Sequence, residues 1–557
     1  MLLGFVIVYW VLSVALGLWA SLRVKTANDF ALAGRSLPFH IVTATVFATW
    51  FGSETILGIP ATFLQEGMKG IISDPFGSSL CLILVGLFFA KPLYRMRLLT
   101  IGDFYKQRYG RTAEIITTFC IVVSYLGWVA AQIKALGLVF HVISNGSLTQ
   151  ETGMLIGAAS VLVYTLFGGM WSVAITDFVQ MIVIVIGMLY IGVEVGGQAG
   201  GVSAVIERAS LDGKMQIMPT VDWVHLLGFV SALVTMMLGS IPQQDVFQRV
   251  GSSKNEKIAS IASITGGVLY FFFAFVPIFL VYCAVIIAPD LVNMHMKGDP
   301  QLILPQFIMQ NAPMFAQIVF FGALLSAIKS CASATLLAPS VTFAENIIRP
   351  LLPHLSPKQL LRLMQMIVLL FAVFVTMFAL NSTQSIFEMV ESAYSVTLVS
   401  AFVPLTFGLF WKKANRAGGL LSITAGLFTW ICASIWFNSE VNAVSPQLAG
   451  LLASFIGMFL GTYLGHLINR EVPNHAVVTN AKLGLGNNNS TSPVKNPKIS
   501  GVAGVSGNVV RKNLNPNATS ATNTKPMPKG FNRADIQLKP SSAIKKNVTS
   551  NDTDDKE

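Results

Sequence analysis

The run GALLSAIKSCASATLLAPS, residues 322–340, is apolar, rich in small side chains and long enough to cross much of a bilayer, and it carries Lys329 near its centre. A lysine at the middle of a membrane helix costs about 2.5–3.5 kcal/mol on insertion scales, so it faces a cavity, a pathway or an acidic partner. Ser326, Ser330, Cys331, Ser333 and Thr335 share the stretch. Their size allows close helix contact, and the hydroxyls among them can ligate a hard cation. The stretch reads as a functional membrane helix, and the remaining chain as its housing.

Composition places the chain in the same class. Hydrophobic residues make up 53% of the 557 and charged ones 11%, with a mean hydropathy of +0.65; this is the profile of a polytopic membrane protein, not of a soluble domain. The net charge of +11 sits mostly in short loops and the C-terminal stretch, as membrane topology demands, and no compact basic domain points to nucleic acid. Cys81, Cys120, Cys283, Cys331 and Cys432 lie in apolar runs without metal-ligand or disulfide spacing. The first apolar run has no basic leader and no small-residue cleavage site, so it is expected to be a retained helix.

At roughly 20 residues per crossing, the chain divides into about thirteen apolar segments. Their cores are 2–22, 40–64, 72–93, 114–143, 153–172, 175–197, 223–244, 259–288, 304–338, 362–380, 385–410, 417–437 and 447–468. With that count, the basic loops around Arg23 and Arg35, Arg95 to Arg111, Arg249 to Lys257, Arg349 to Arg362, and Lys412 to Arg416 all fall on one side. The positive-inside rule makes that side cytoplasmic, with the N-terminus outside and the C-terminus inside. From about Glu471 the chain turns to Asn, Ser, Thr, Pro, Gly and Lys. Such a composition cannot bury enough apolar surface to fold, so residues 471–557 are expected to be a disordered cytoplasmic tail after a transmembrane domain of residues 1–470.

The second segment, TATVFATWFGSETILGIPAT (43–62), is interrupted halfway by Gly52, Ser53, Glu54 and Thr55. A discontinuous helix at the midplane frees carbonyls for ions and aims half-helix dipoles at a solute, as secondary transporters do. The competing reading is a kinked helix whose Glu54 pairs with a lysine for packing. Glu388 and Glu391 lie three apart on one face of the eleventh segment, with Tyr394 another three on. They suggest a proton path, a solute contact or partners for Lys329. The histidines have no metal spacing and no nucleophile–base pair is visible, so the sequence contains no recognisable enzyme site and calls for no cofactor.

Five stretches together resemble the sodium:solute symporter family, which includes proline, sugar and choline transporters. They are FATWFGSETI, LFFAKPLYRMRLLTIGDFYKQRYG, YTLFGGMWSVAITDFVQ, GSIPQQDVFQRV and SAIKSCASATLLAPS, spread in order over roughly residues 1–470. The resemblance implies an all-α membrane protein whose core is a 5+5 inverted repeat of the leucine-transporter type, here about residues 40–197 and 223–410. It also implies an ion site of the carbonyls of Ala48, Phe51 and Ala327 and the hydroxyl of Ser330, with the fifth ligand position falling on Cys331. A neutral thiol is a poor ligand for a hard cation, and Lys329 puts a positive charge next door. Either Na⁺ is the coupling ion, or the Lys329 ammonium stands in for it, or H⁺ is coupled instead. Helix geometry sets Lys329 about 100° from Ser330 and closer to the face of Ser326 and Ser333. Asp177 matches a position associated with ion release, with a helix-start role as its competitor. Trp50 and Trp128 match two aromatic positions of the choline branch, while Ser78 and Gln243 stand at two others; Glu54 matches a solute position of the sugar branch.

The expectation is therefore a plasma (inner) membrane transporter that imports a small polar solute such as an amino acid, choline, betaine or a sugar by alternating access. Trp50, Glu54, Trp128 and Gln243 line the solute site, and Asp177, Glu388 and Glu391 serve as pathway or charge partners. The alternatives are Na⁺-independent transport built on Lys329 and a transporter-like sensor that does not transport. The oligomeric state is open.

Overall fold

A computed structural model describes residues 2–219, 222–436 and 444–469; the expected tail, 471–557, lies outside them. The described residues are nearly all helical, and they contain no strand. This is what lipid requires, because a helix satisfies its own backbone hydrogen bonds where no water can.

Ten helices are long and apolar enough to cross a membrane, and two bent pairs raise the count to twelve. One of the ten, Gln150–Gln198, has 49 residues; at 1.5 Å per residue it is about 73 Å long, more than twice the ~30 Å hydrocarbon core. It breaks at Gly169, where φ is 48° and ψ −141°, and where a Cβ would sit 2.4 Å from the Phe30 carbonyl oxygen. Only glycine meets both conditions at once. Dividing the helix there separates the fifth and sixth spans and brings the count to thirteen. The break falls within the expected fifth segment instead of after it, because the backbone contact with Phe30 sets its place. The ninth segment also differs from expectation: Ile303–Asn311 is a separate short helix, and the span begins at Met314, after Pro313. Proline at that position has no N–H to continue the preceding helix.

The two bent pairs occupy the second and seventh places. Phe39–Trp50 meets Glu54–Glu66 at 51°, and Trp223–Gly239 meets Gln244–Ser252 at 42°. A break that recurs five spans later is the geometry of paired repeats with a site at the breaks. The ends of both broken spans are joined on one side of the molecule. Leu37 N–H donates to the Ser252 carbonyl at 3.0 Å and Lys254 N–H to the Leu37 carbonyl at 2.9 Å, while Arg35 donates to the carbonyls of Leu98 (2.6 Å) and Gly251 (3.3 Å).

On the same side, the helix Ile101–Tyr109 is clamped between the spans. Tyr105 donates to the Ala401 carbonyl at 2.9 Å and Tyr109 to the Pro404 carbonyl at 2.7 Å. Buried Asn346, in the π-helical end of the ninth span, donates to Asp103 and Glu114 at 2.9 Å each and accepts from Thr100 at 2.6 Å. Asn346→Leu keeps the volume but strips these three partners, two of them carboxylates. It is expected to destabilise the protein by roughly 2–4 kcal/mol, read as a lower unfolding temperature of the full chain in detergent.

Candidate functional site

The interruption of the second span is held open by one side chain. Gln132, on the fourth span (Arg111–Ile143), accepts from Ser53 N–H at 3.0 Å and donates to Glu54 Oε2 at 2.7 Å. Its amide thus takes a donor that the break would orphan and fixes the carboxylate that follows. Trp128, one helical turn earlier on the same face, donates its indole N–H to Glu54 Oε1 at 3.2 Å. Glu54 is 2% exposed and has no ion-pair partner among the described residues. Gly52 is required here, since a Cβ would lie 2.6 Å from Glu54 Oε2 and 2.9 Å from Cys331 Sγ.

Around this carboxylate three rings close a triangle. The centroids of Trp50 and Trp128 are 5.8 Å apart, Trp50 and Tyr394 6.1 Å, and Trp128 and Tyr394 5.4 Å. Tyr125 stacks on the outer side of Trp128 at 5.9 Å. Two glycines let the eleventh span approach: a Cβ on Gly239 would meet the Tyr394 carbonyl at 2.5 Å, and one on Gly127 the Met389 carbonyl at 2.5 Å. Gln243 lies at the break of the seventh span, but its amide is engaged by Ser124 (3.0 Å) and Thr397 (3.3 Å). Its role here is to fix the fourth and eleventh spans relative to the break. Gln244 faces elsewhere, accepting from Ile101 N–H at 2.8 Å.

A second polar centre lies at the last turn of Phe39–Trp50. The Asp177 carboxylate accepts from Ser330 at 2.6 Å and from Thr45. Ala48, Phe51 and Ala327 are buried, and helix-end carbonyls such as those of Ala48 and Phe51 lack the next turn's donors. The Asp177 carboxylate with the Ser330 and Thr45 hydroxyls is a set of hard oxygen donors of the kind a small cation takes. Buried Arg249 donates to Thr49 at 2.6 Å and to the Asp245 carbonyl at 3.2 Å, and Tyr125 donates to Asp245 Oδ1 at 2.5 Å. Cys331 does not turn toward Asp177; its thiol points at Glu54, 3.9 Å from Oε1.

Lys329 does not enter either centre. Its ammonium donates to Ser13 at 3.0 Å and sits 4.9 Å from the Trp10 ring and 5.5 Å from the Tyr164 ring. It makes no ion pair with Glu54, Glu388 or Glu391. The 100° step between neighbouring helix positions aims it at the first and fifth spans, away from Ser330. Glu388 closes a capping box, accepting from Ser385 N–H at 2.9 Å. With Glu391, Glu66, Lys69 and His225 it lines a cavity of about 700 Å³, so these two acids stand at the mouth of the molecule. Tyr394 was legible as a face-mate of Glu391 but not as a ring of the triangle. Tyr125, Gln132, Asp245 and Thr45 carry little signal along the chain; the i, i+3 and i, i+7 spacing of Tyr125, Trp128 and Gln132 is the one pattern that places two of them on the face of Trp128.

Comparison with known proteins accords with this geometry. The model of the family described as "Sodium:solute symporter family" matches residues 30–426. The human high affinity choline transporter 1 is 29% identical over 446 residues, covering 76% of this chain and 75% of that protein. The osmoregulated proline transporter OpuE of Bacillus subtilis (strain 168) is 23% identical, covering 80% and 93%. Among solved structures, a Na⁺-coupled sialic acid symporter in a substrate-bound outward-open state superposes with a TM-score of 0.70 at 20% identity, covering 84% of this chain and 98% of that one. The nucleobase-cation-symport-1 family transporter Mhp1 gives 0.52 at 15% identity. Both superpositions establish the leucine-transporter fold.

If the Asp177 centre takes Na⁺, then replacing K⁺ by Na⁺ raises the unfolding temperature, by up to the equivalent of ~2.7 kcal/mol at a hundredfold excess over Kd. Asp177→Asn is expected to lose the part of that rise due to this centre and Lys329→Met to keep the whole of it. Loss in Lys329→Met alone would return the lysine to the ion site.

Proposed function

The chain belongs to the sodium:solute symporter family, and we propose that the solute it moves with Na⁺ is a small organic cation bearing an ammonium group. The observation that carries this reading is the triangle of Trp50, Trp128 and Tyr394 set against the unpaired carboxylate of Glu54. Aromatic faces attract an ammonium by up to about 2 kcal/mol or more when desolvated, and a buried carboxylate without a counter-charge is costly in lipid until a cation joins it. A neutral sugar or zwitterion gains far less from such a site. The choline transporters among the relatives share this class of solute.

Na⁺ coupling rests on Asp177, Ser330 and Thr45 with the carbonyls of Ala48, Phe51 and Ala327. Both centres border the same break in the second span, with Trp50 and Phe51 as neighbours in the chain, so a cation at one stiffens the backbone that forms the other. The side joined by Leu37, Ser252 and Arg35 is the cytoplasmic one by the positive-inside rule, and the cavity bearing Glu66, Glu388 and Glu391 then opens outward. Its acids raise the local concentration of an entering cation. Residues about 40–197 and 223–410 act as the two inverted repeats, whose rocking about the breaks alternates access.

The test is uptake into proteoliposomes under an imposed Na⁺ gradient, with choline, betaine, proline and glucose as competitors. Choline-class cations are expected to be taken up and the neutral solutes to compete poorly. Glu54→Gln and Trp128→Ala are each expected to raise KM for the cation roughly tenfold or more, the equivalent of ~1.4 kcal/mol. Transport of neutral solutes with cations excluded would overturn the reading.

A further inference from the structure

The membrane core of this chain holds an acid that neither centre uses. Asp74 lies at the start of the third span, 2% exposed, with extended backbone angles (φ −139°, ψ 121°) just before Pro75. That is the place of a helix N-cap, yet no backbone N–H hydrogen-bonds to its carboxylate; the bond it accepts comes from the Tyr270 hydroxyl at 2.5 Å. It does not serve as a cap, and it has no ion-pair partner among the described residues. Glu54, also buried and without an ion-pair partner among the described residues, is linked to it through Tyr270 and Thr55, its neighbour in the chain. Two like charges in a dry site demand a positive one.

The groups around Asp74 are oxygens. Tyr270 also shares a hydrogen bond with Thr55 at 3.0 Å, and Thr55 can donate to the Trp50 carbonyl at 3.1 Å. Ser78, one turn beyond Asp74 and fully buried, has its hydroxyl directed at the Asp74 carboxylate without a hydrogen bond of ordinary geometry to it or to any other group. A buried hydroxyl left unmatched costs free energy, and here it stands next to an unneutralised carboxylate. A proton on Asp74 would also cancel the charge, whereas a cation would cancel it and draw on the oxygen lone pairs of Ser78, Thr55 and Tyr270 together. The N-terminus of the helix that begins at Pro75 also favours negative charge at this point. The lining of the outer cavity reaches Ile72, two residues from Asp74.

We propose that Asp74, Ser78, Thr55 and Tyr270 form a second binding site for Na⁺, between the second, third and eighth spans and separate from the Asp177 centre. A carboxylate and three hydroxyls are the hard donors such an ion takes. Through Thr55 the site grips the break in the second span from the side opposite Asp177. Occupancy of both sites fixes the two edges of the interruption that carries Trp50 and Glu54, so the solute meets a formed site only when both ions are present.

Binding of radiolabelled Na⁺ to the purified full-length protein, counted without solute, tests this independently of what the solute is. Two ions per chain are expected for the unmodified protein, one for Asp74→Asn, one for Asp177→Asn and none for the double variant. Ser78→Ala and Tyr270→Phe keep the carboxylate and are expected to weaken one of the two components about tenfold, as for one lost hydroxyl ligand, while sparing the other. They also serve if Asp74→Asn does not fold. In uptake, the Hill coefficient for Na⁺ should fall toward one in Asp74→Asn. A single ion per chain that only Asp177→Asn removes would overturn the proposal, as would Asp74 exchanging a proton with no change in the Na⁺ count.

Discussion

The architecture depends on a helix that stops in the middle of a membrane. In hydrocarbon each unpaired backbone group costs several kcal/mol, so the gap at residues 51–53 survives only because another side chain completes it. Gln132 does so with one amide: its oxygen takes the Ser53 N–H and its nitrogen holds Glu54. With the gap fixed, the helix before it carries Thr45 to Asp177, and Trp50 turns toward Trp128 and Tyr394. The Asp177 centre and the ring triangle border the same interruption, so a shift of its backbone reaches both.

Small residues bring the other walls to this gap. Gly127 and Gly239 admit the backbone of the eleventh span at distances a methyl group would forbid, and this contact carries Tyr394 into the triangle. Gln243, Ser124 and Thr397 then lock the three spans together. Polar residues inside the membrane thus divide into two sets. One set, including Gln243, Asn346 and Gln132, is hydrogen-bonded within the protein and fixes geometry. The other, Glu54, Asp74 and Asp177, consists of buried acids without an ion-pair partner among the described residues, the kind of group that marks a functional site in a membrane protein.

Lys329 shows how far a single position can mislead when only the linear pattern is available. Its cost in a bilayer marks it as functional, and its place beside Ser330 suggests the ion site. In the folded chain the ammonium lies against Trp10 and Tyr164 with Ser13 as its hydrogen-bond acceptor. Cation–π attraction and one hydroxyl therefore do the work of an acidic partner, pinning the first span to the bundle. Glu388 and Glu391 likewise turn out to belong to a helix start and to the lining of a cavity of about 700 Å³ shared with Glu66, Lys69 and His225.

What the sequence by itself determined was the class, the number of crossings, the interruption at Gly52 to Thr55 and the family, because these rest on local hydropathy, on charge in loops and on motifs read along one strand of text. The legible part of the site was the part carried by residues conspicuous in lipid: Glu54 and Asp177, with Trp50 beside the break and Trp128. Only the tertiary structure decided which of them meet. Tyr394 reaches Trp128 across 266 positions of sequence, and Ser330 reaches Asp177 across 153, through helix rotations of 100° per residue and glycine contacts that no linear spacing records. The direction in which each polar side chain leaves its helix is set by its neighbours in space, and that separates an ion ligand from an anchor.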